Sequence, residues 1–269
     1  MPVKKLHALF VLLALFALTD ISAAKAVTYT AANVKGSYSF LMNKWQVAGG
    51  SQGAILGILS FDGVGVVSGS MNLIDDGKLQ TFSLGSGTYT VSTNGSGSMV
   101  FGVGTQSLQI GFVLTSVSAS VAHTLQLLII PNTADETNTT AGTANLMSLT
   151  GPATASKLKG TYSLMLDWWT QQDSQQTLLG TITFDGKSKA MLSFTQQLGS
   201  STSTGTGSGT YTVNSDGSGT ISLTLSNSTT MQFDFVMNTV SGAVAKGLQL
   251  LDVTDPNFNS TDAGTAIFQ

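Results

Sequence analysis

Ser208-Gly209-Thr210-Tyr211-Thr212-Val213, then Asp216-Gly217-Ser218-Gly219, then Ile221-Ser222-Leu223-Thr224-Leu225 is the stretch that decides the fold. Tyr211 and Val213 alternate with Thr210 and Thr212, and Ile221, Leu223 and Leu225 alternate with Ser222 and Thr224. A period of two makes a strand with one buried and one solvated face. Threonine suits the outer face, being both β-branched and polar. Asp216-Gly217 stands between the two runs, where a tight hairpin turn needs it. Met231, Phe233, Phe235 and Met237 continue the alternation, and no stretch beyond residue 26 carries helical periodicity.

The same hairpin occurs earlier in the chain as Ser86-Gly87-Thr88-Tyr89-Thr90-Val91 with Asn94-Gly95-Ser96-Gly97, a shift of 122. Four further segments repeat in the same order. Lys35-Gly36-Ser37-Tyr38 returns as Lys159-Gly160-Thr161-Tyr162, and Phe61-Asp62-Gly63 as Phe184-Asp185-Gly186. Leu125-Gln126-Leu127-Leu128 returns as Leu248-Gln249-Leu250-Leu251, and Ala141-Gly142-Thr143-Ala144 as Ala263-Gly264-Thr265-Ala266. The offsets stay between 122 and 124. That period exceeds the roughly 20–50 residues of solenoid and propeller repeats and suits a duplicated domain.

Turn signals divide each copy into about eight strands, a spacing typical of all-β domains. In the second copy they fall near residues 159–168, 177–185, 189–197, 207–214, 218–226, 230–238, 246–252 and 262–268. Short connections imply a meander of antiparallel neighbours. Closing a meander into a barrel removes its exposed edges, so the expected fold is all-β: two tandem antiparallel β-barrels of about eight strands. Two-sheet sandwiches are the alternative. The expected units are 27–147 and 157–269, joined by a linker over 148–156, where Thr150-Gly151-Pro152 breaks the pattern.

Residues 1–26 have the order of a secretory signal peptide. Lys4 and Lys5 precede an apolar run from Leu6 to Leu18, and small residues lead to Ala24-Lys25-Ala26. Cleavage is expected after Ala26, with secretion or periplasmic export as the result. The run is shorter than the roughly 20 residues of a spanning helix. No membrane span is therefore expected in the mature chain.

Composition narrows the chemistry. The 269 residues include 11 Lys and no Arg, 14 acidic residues of which Glu136 is the only Glu, 2 His and no Cys. An acidic surface without Arg argues against nucleic acid and anionic lipid as partners. No Cys nucleophile exists, and His123 is the only histidine beyond the signal segment. A general base needs an oriented partner, and a metal site needs several converging ligands; the sequence offers neither. No catalytic residue, metal ligand or cofactor is assigned, and the expectation is a protein that is not an enzyme. The recurrent acids, Asp62/Asp185 and the Asn94/Asp216 pair, precede Gly and read as turn residues.

The repeated set Lys-Gly-x-Tyr, Phe-Asp-Gly, Gly-Thr-Tyr-Thr-Val-x-x-Asn/Asp-Gly-x-Gly, Leu-Gln-Leu-Leu and Ala-Gly-Thr-Ala resembles that of uncharacterised bacterial secreted tandem-repeat β-barrel proteins. Gly36-Ser37-Tyr38 and Gly160-Thr161-Tyr162 also look like the Gly-x-Trp opening of calycins, the lipocalin and avidin superfamily, with Tyr for Trp. The first resemblance implies no activity. The second implies a barrel able to hold one small apolar ligand.

Three tryptophans stand out as candidate surface or ligand contacts. By alternation from Tyr38 and Tyr162, Trp45 and Trp169 fall on the outer face and Trp168 on the inner one. Outward aromatics at matched positions suit a barrel–barrel contact, a partner anchor or a sugar platform. A bulge or strand end that turns the rings onto the rim is the competing reading. The function that fits best is an exported, non-enzymatic two-barrel protein that binds a small apolar ligand or a cell-surface partner. A structural, surface-associated protein and an outer-membrane barrel of about sixteen strands are the alternatives.

Overall fold

The computed structural model describes residues 27–46, 52–75, 77–103, 106–131, 138–170, 175–241, 243–254 and 260–269, without the side chains of residues 46, 52, 103, 106, 138, 168–170, 175, 241 and 260–262. The signal segment and its cleavage site after Ala26 lie outside the described residues.

Sixteen strands form two closed barrels of eight. Barrel 1 comprises β1 (Lys35–Gln46), β2 (Gln52–Asp62), β3 (Val66–Asp75), β4 (Lys78–Val91), β5 (Ser96–Val103), β6 (Gln106–Ser118), β7 (Val121–Ile130) and β8 (Asn138–Leu146). Barrel 2 comprises β9 (Lys159–Thr170), β10 (Gln175–Asp185), β11 (Lys189–Leu198), β12 (Ser201–Val213), β13 (Ser218–Leu225), β14 (Thr230–Ser241), β15 (Val244–Asp252) and β16 (Ser260–Phe268). Each strand pairs antiparallel with its neighbour, and β1 with β8 and β9 with β16 close the rings. This rules out the sandwich. It also corrects the single sixteen-stranded barrel, because the chain closes on itself after eight strands.

One step in the repeat offset, from 123 at Phe61 to 122 at Ser86, has a structural cause. Pairing between β3 and β4 slips between Ser70↔Ser83 and Gly69↔Gly85, which makes one extra residue, while β11 and β12 pair without interruption. Gly85 takes a φ of +54° there, as a β-bulge permits. β12 corrects the expected strand start near residue 207, since it begins at Ser201. Its first residues, Ser201-Thr202-Ser203-Thr204, contain no apolar residue to signal a strand, yet they pair with β11.

The Ala-Gly-Thr-Ala repeat serves barrel closure. Gly142 lies opposite Met42 on β1, and Gly264 lies opposite Leu166 on β9. A Cβ on Gly264 would strike the Met165 carbonyl oxygen and lie 2.9 Å from Leu166 Cα. Neither obstacle is a flexible side chain, so the closing strands must part. Gly264→Ala is expected to cost about 3 kcal/mol, the upper part of the range for overpacking. Denaturant titration of the variant checks this, and an unchanged midpoint would refute the close approach.

The barrels meet along one seam. Ala54, Leu56 and Ile58 of β2 and Ile74 of β3 are buried against Val236 of β14, Leu251 of β15 and Ala263 of β16. Leu41 of β1 packs on the same cluster, as do Met147 and Leu149 from the segment between the barrels. That segment is anchored as well, with the Ala153 N–H donating to the Ser215 carbonyl at 2.9 Å. The side chains of β2 and β15 still alternate in direction, but apolar residues stand on both faces of these strands. Ile55 and Leu59 fill barrel 1 while Leu56 and Ile58 fill the seam, and Leu248 and Leu250 fill barrel 2 while Leu251 fills the seam.

A polar pair crosses the seam, Asn72 Nδ2 donating to Asp234 Oδ2 at 2.7 Å. Burial pushes the Asp234 carboxyl above its ordinary range, and the Asn72 bond only partly offsets this. A raised folded-state pKa gives stability that is complete below the ordinary aspartate range and lost as pH rises through the raised value. Asp234→Asn keeps an acceptor for Asn72 and removes the charge. It is expected to raise stability at neutral pH and to flatten the profile just above the ordinary carboxylate range, as read by thermal melts against pH.

Candidate functional site

Three of the repeated motifs meet at one end of each barrel. In barrel 1 the Phe61 ring stands edge-on to Tyr38 at 5.4 Å, to Tyr89 at 5.0 Å and to Phe112 at 6.3 Å. In barrel 2 the Phe184 ring repeats this with Tyr162 at 5.4 Å and Tyr211 at 5.0 Å. Such edge-to-face pairs add attraction beyond area burial. A short 3-10 turn before each barrel, Ala31–Asn33 and Ala155–Lys157, closes that end. Tyr89 OH donates to the Val34 and Ala31 carbonyls at 2.9 and 3.0 Å, and Tyr211 OH to those of Leu158 and Ala155 at 3.0 and 3.2 Å. Tyr38 and Tyr162 donate likewise to the carbonyls of Ala122 and Ala245. Burial raises the pKa of all four phenols, that of Tyr211 to about 12, so they act as fixed donors. The motifs seal the barrels.

The recurrent acids serve turns at the same end. Asp62 Oδ1 accepts the N–H groups of Val64, Gly65 and Val66 at 2.8–2.9 Å. Asp185 Oδ1 does the same with Lys187, Ser188 and Lys189. These bonds hold both carboxyls below their ordinary range, led by Val64 for Asp62 and by Lys189 for Asp185. Asn94 and Asp216 accept from the N–H groups of Ser96 and Ser218. The turn reading of all four holds. Among the described residues, no three His, Asp or Glu side chains gather as metal ligands would. His123 is exposed on β7, and its counterpart Lys246 lies 4.0 Å over the Phe268 ring.

The middle of each barrel is packed. Phe40, Leu59, Leu84, Met99, Phe101 and Leu125 are fully buried in barrel 1, and Leu178, Leu223, Phe233, Met237, Leu248 and Leu250 in barrel 2. A side chain lining a water-sized void would retain accessible surface, and these retain at most 1%. Inward glycines make room for rings. Gly57 lies under Phe40, Gly97 under Phe112 and Gly219 under Phe235.

Towards the opposite end of barrel 1 the packing loosens to the half-buried Leu73, Phe82, Leu108 and Ile129. There Lys44 reaches past Gly53 to Asp75, with Nζ 2.7 Å from both carboxylate oxygens. A side chain at position 53 would lie 3.2 Å from Lys44 Cδ, so the pair depends on glycine between its partners. By register, Lys44, Gly53 and Asp75 correspond to Trp168, Gln176 and Leu198 in barrel 2, so the charged pair is not repeated. Sequence reading missed it because a cross-strand pair depends on register.

Of the three tryptophans, Trp45 occupies an outward position on β1 with unbroken pairing to Gln52 and Thr139, and 44% of its surface is exposed. The buried seam is centred on the aliphatic residues of β2 and β14–β16. The side chains of Trp168 and Trp169 lie outside the described residues; their backbones pair with Gln176 and Gln175 on β10.

Two concave features lie outside the barrels. A cleft of about 740 Å³ runs between the barrels, lined by Ser60, Ser68 and Ser70 of barrel 1, by Met147 and Leu149, and by Asp216 of barrel 2. A depression of about 800 Å³ lies on the outer wall of barrel 2, around Leu179, Thr181, Thr195 and Thr206.

Half-exposed aliphatic residues continue along the outer walls. Val113 and Leu128 are each 48% exposed on barrel 1, and Met165 and Leu179 are 48% and 54% exposed on barrel 2. Each is the repeat counterpart of a seam residue. Val113↔Gln126 repeats as Val236↔Gln249, Leu128↔Ala141 as Leu251↔Ala263, and Leu41↔Leu56 as Met165↔Leu179.

No family model matches the chain, and no curated protein matches it. Among solved structures it is similar to a de novo designed fluorescence-activating β-barrel, with 15% identity over 43% of this chain and 96% of that one and a TM-score of 0.29. It is also similar to CghA crystallised with Sch210972, with 6% identity over 87% of this chain and 88% of that one and a TM-score of 0.29. A protein of unknown function from the DUF3598 family, from Nostoc punctiforme, has 12% identity over 87% of this chain and 96% of that one, with a TM-score of 0.26. None of these likenesses is close enough to bear on function.

Proposed function

We propose that the protein is an exported, non-enzymatic interaction module whose working surfaces are the outer walls of its barrels. The observation that carries this reading is a contrast between repeat counterparts. Val236 and Leu251 are 3% and 0% exposed in the seam, while Val113 and Leu128 on barrel 1 are each left 48% exposed. Exposed aliphatic residues at the positions that form a buried contact in the other copy suit an interaction surface. A ligand held inside either barrel draws less support, because the described interiors are packed with large side chains. The outward Ser and Thr, with apolar residues inside, run opposite to the pattern of a barrel facing lipid.

An environment-sensitive apolar dye tests the reading. Leu128→Lys and Leu179→Lys are each expected to lower dye binding, and to lower it further together, while native mass spectrometry shows the bare chain mass. Dye binding unchanged in the double variant, or a small apolar molecule retained in the mass spectrum, would put the site inside the barrels and overturn the proposal.

A further inference from the structure

We propose that the partner of these outer walls is a second copy of the same chain, docked head to tail by a repeat of the internal seam. This rests on the outer-wall reading above. The seam is asymmetric, joining the β1–β3 wall of barrel 1 to the β14–β16 wall of barrel 2. Because the barrels are repeats, each carries both kinds of wall, and one of each is left unused. Barrel 2 leaves its β9–β11 wall exposed, and barrel 1 the β6–β7 face of its β6–β8 wall with the exposed Ala141 of β8, although another part of β8 touches β14. A second copy can therefore set the β6–β8 wall of its barrel 1 on the β9–β11 wall of the first chain's barrel 2.

The free walls keep the apolar centre of the seam. Met165 and Leu179 lie cross-strand as Leu41 and Leu56 do, and Val113, Leu128 and Ala141 stand where Val236, Leu251 and Ala263 stand. The depression on barrel 2 is lined by Leu179, Thr181 and Thr195, the counterparts of Leu56, Ile58 and Asn72 of the seam. The hollow thus lies on the wall that in barrel 1 receives its neighbour.

The differences set the strength of the junction. Thr181 and Gln197 replace Ile58 and Ile74, which removes apolar contact relative to the seam. Gly111 replaces Asp234, so no carboxylate has to be buried. The junction is accordingly weaker than the seam and depends on protein concentration. A heterologous contact of this kind gives a ring where the rotation closes and a filament where it does not.

Sedimentation velocity across a concentration series tests the proposal. The two-barrel chain is expected to grow beyond the monomer as concentration rises. Leu128→Lys and Leu179→Lys are each expected to stay monomeric, since each blocks one wall. An equimolar mixture of the two variants retains one good wall of each kind, and is expected to form a species of twice the monomer mass that does not grow. Val113→Lys and Met165→Lys, at different half-exposed positions, repeat the experiment should either first variant fold poorly. A chain monomeric at every concentration, or two variants that do not complement on mixing, overturns head-to-tail docking. Dye binding to the outer walls is read without any assembly, so it reports separately whether the interaction surfaces themselves are real.

Discussion

Phe184→Ala is expected to destabilise barrel 2 by about 3–5 kcal/mol, the usual cost of emptying a buried aromatic site. The Phe184 ring is buried between Tyr162 and Tyr211, with centroids at 5.4 and 5.0 Å, and both phenols are tied to backbone carbonyls. Removing the ring leaves a void that these tethered neighbours cannot fill by sliding inwards. The 3-10 turn Ala155–Lys157 loosens as a result, because Tyr211 OH holds it through Leu158 and Ala155. Phe184→Leu fills part of the void and is expected to recover part of the loss. Phe61→Ala has the equivalent effect in barrel 1. Denaturant titration measures each value, and a loss under about 1 kcal/mol for Phe184→Ala would show that the cluster does not hold the closed end.

Leu251→Asp and Leu128→Asp, at matched positions of the two copies, are expected to give very unequal results. Leu251 is fully buried in the seam and lies opposite Asp234, so a second carboxylate there is both unpaired and beside a like charge. The cost is about 3–5 kcal/mol, the scale of an uncompensated buried charge. The chain escapes by opening the seam while each barrel keeps its own core. The expected signs are a larger radius in small-angle scattering and two separate thermal transitions. Leu128 is half-exposed, so Leu128→Asp is expected to change stability by no more than about 0.5 kcal/mol. Equal losses at the two positions would mean that the barrels are not joined through this wall.

Much of the architecture was written in short-range patterns. The alternation around Tyr211 and Ile221 named strands and their inward faces, and Asp216-Gly217 named the turn between them. The recurrence of Tyr, Phe-Asp-Gly and Gly-Thr-Tyr at fixed offsets marked both barrels, and the structure brings those motifs together as one seal. The continuous apolar run Ala54-Ile55-Leu56 carried a signal of burial on both faces. Closure into barrels, and not sandwiches, depended on β1 finding β8 and β9 finding β16, pairings about a hundred residues apart. The Lys44–Asp75 pair needed the β1–β2–β3 register, which places Gly53 between the two.

The sequence by itself determined the strands, their inward faces, the turns and the duplication, because each depends on residues close together in the chain or on repetition of a local pattern. Only the tertiary structure decided which outer walls meet. Leu128 and Leu251 lie in the same repeated motif, Leu-Gln-Leu-Leu, yet one is half-exposed and the other fully buried. A local pattern is the same in both copies and cannot distinguish them. Their difference comes from how two finished barrels pack, because within one chain each barrel meets the other through only one of its two repeated walls.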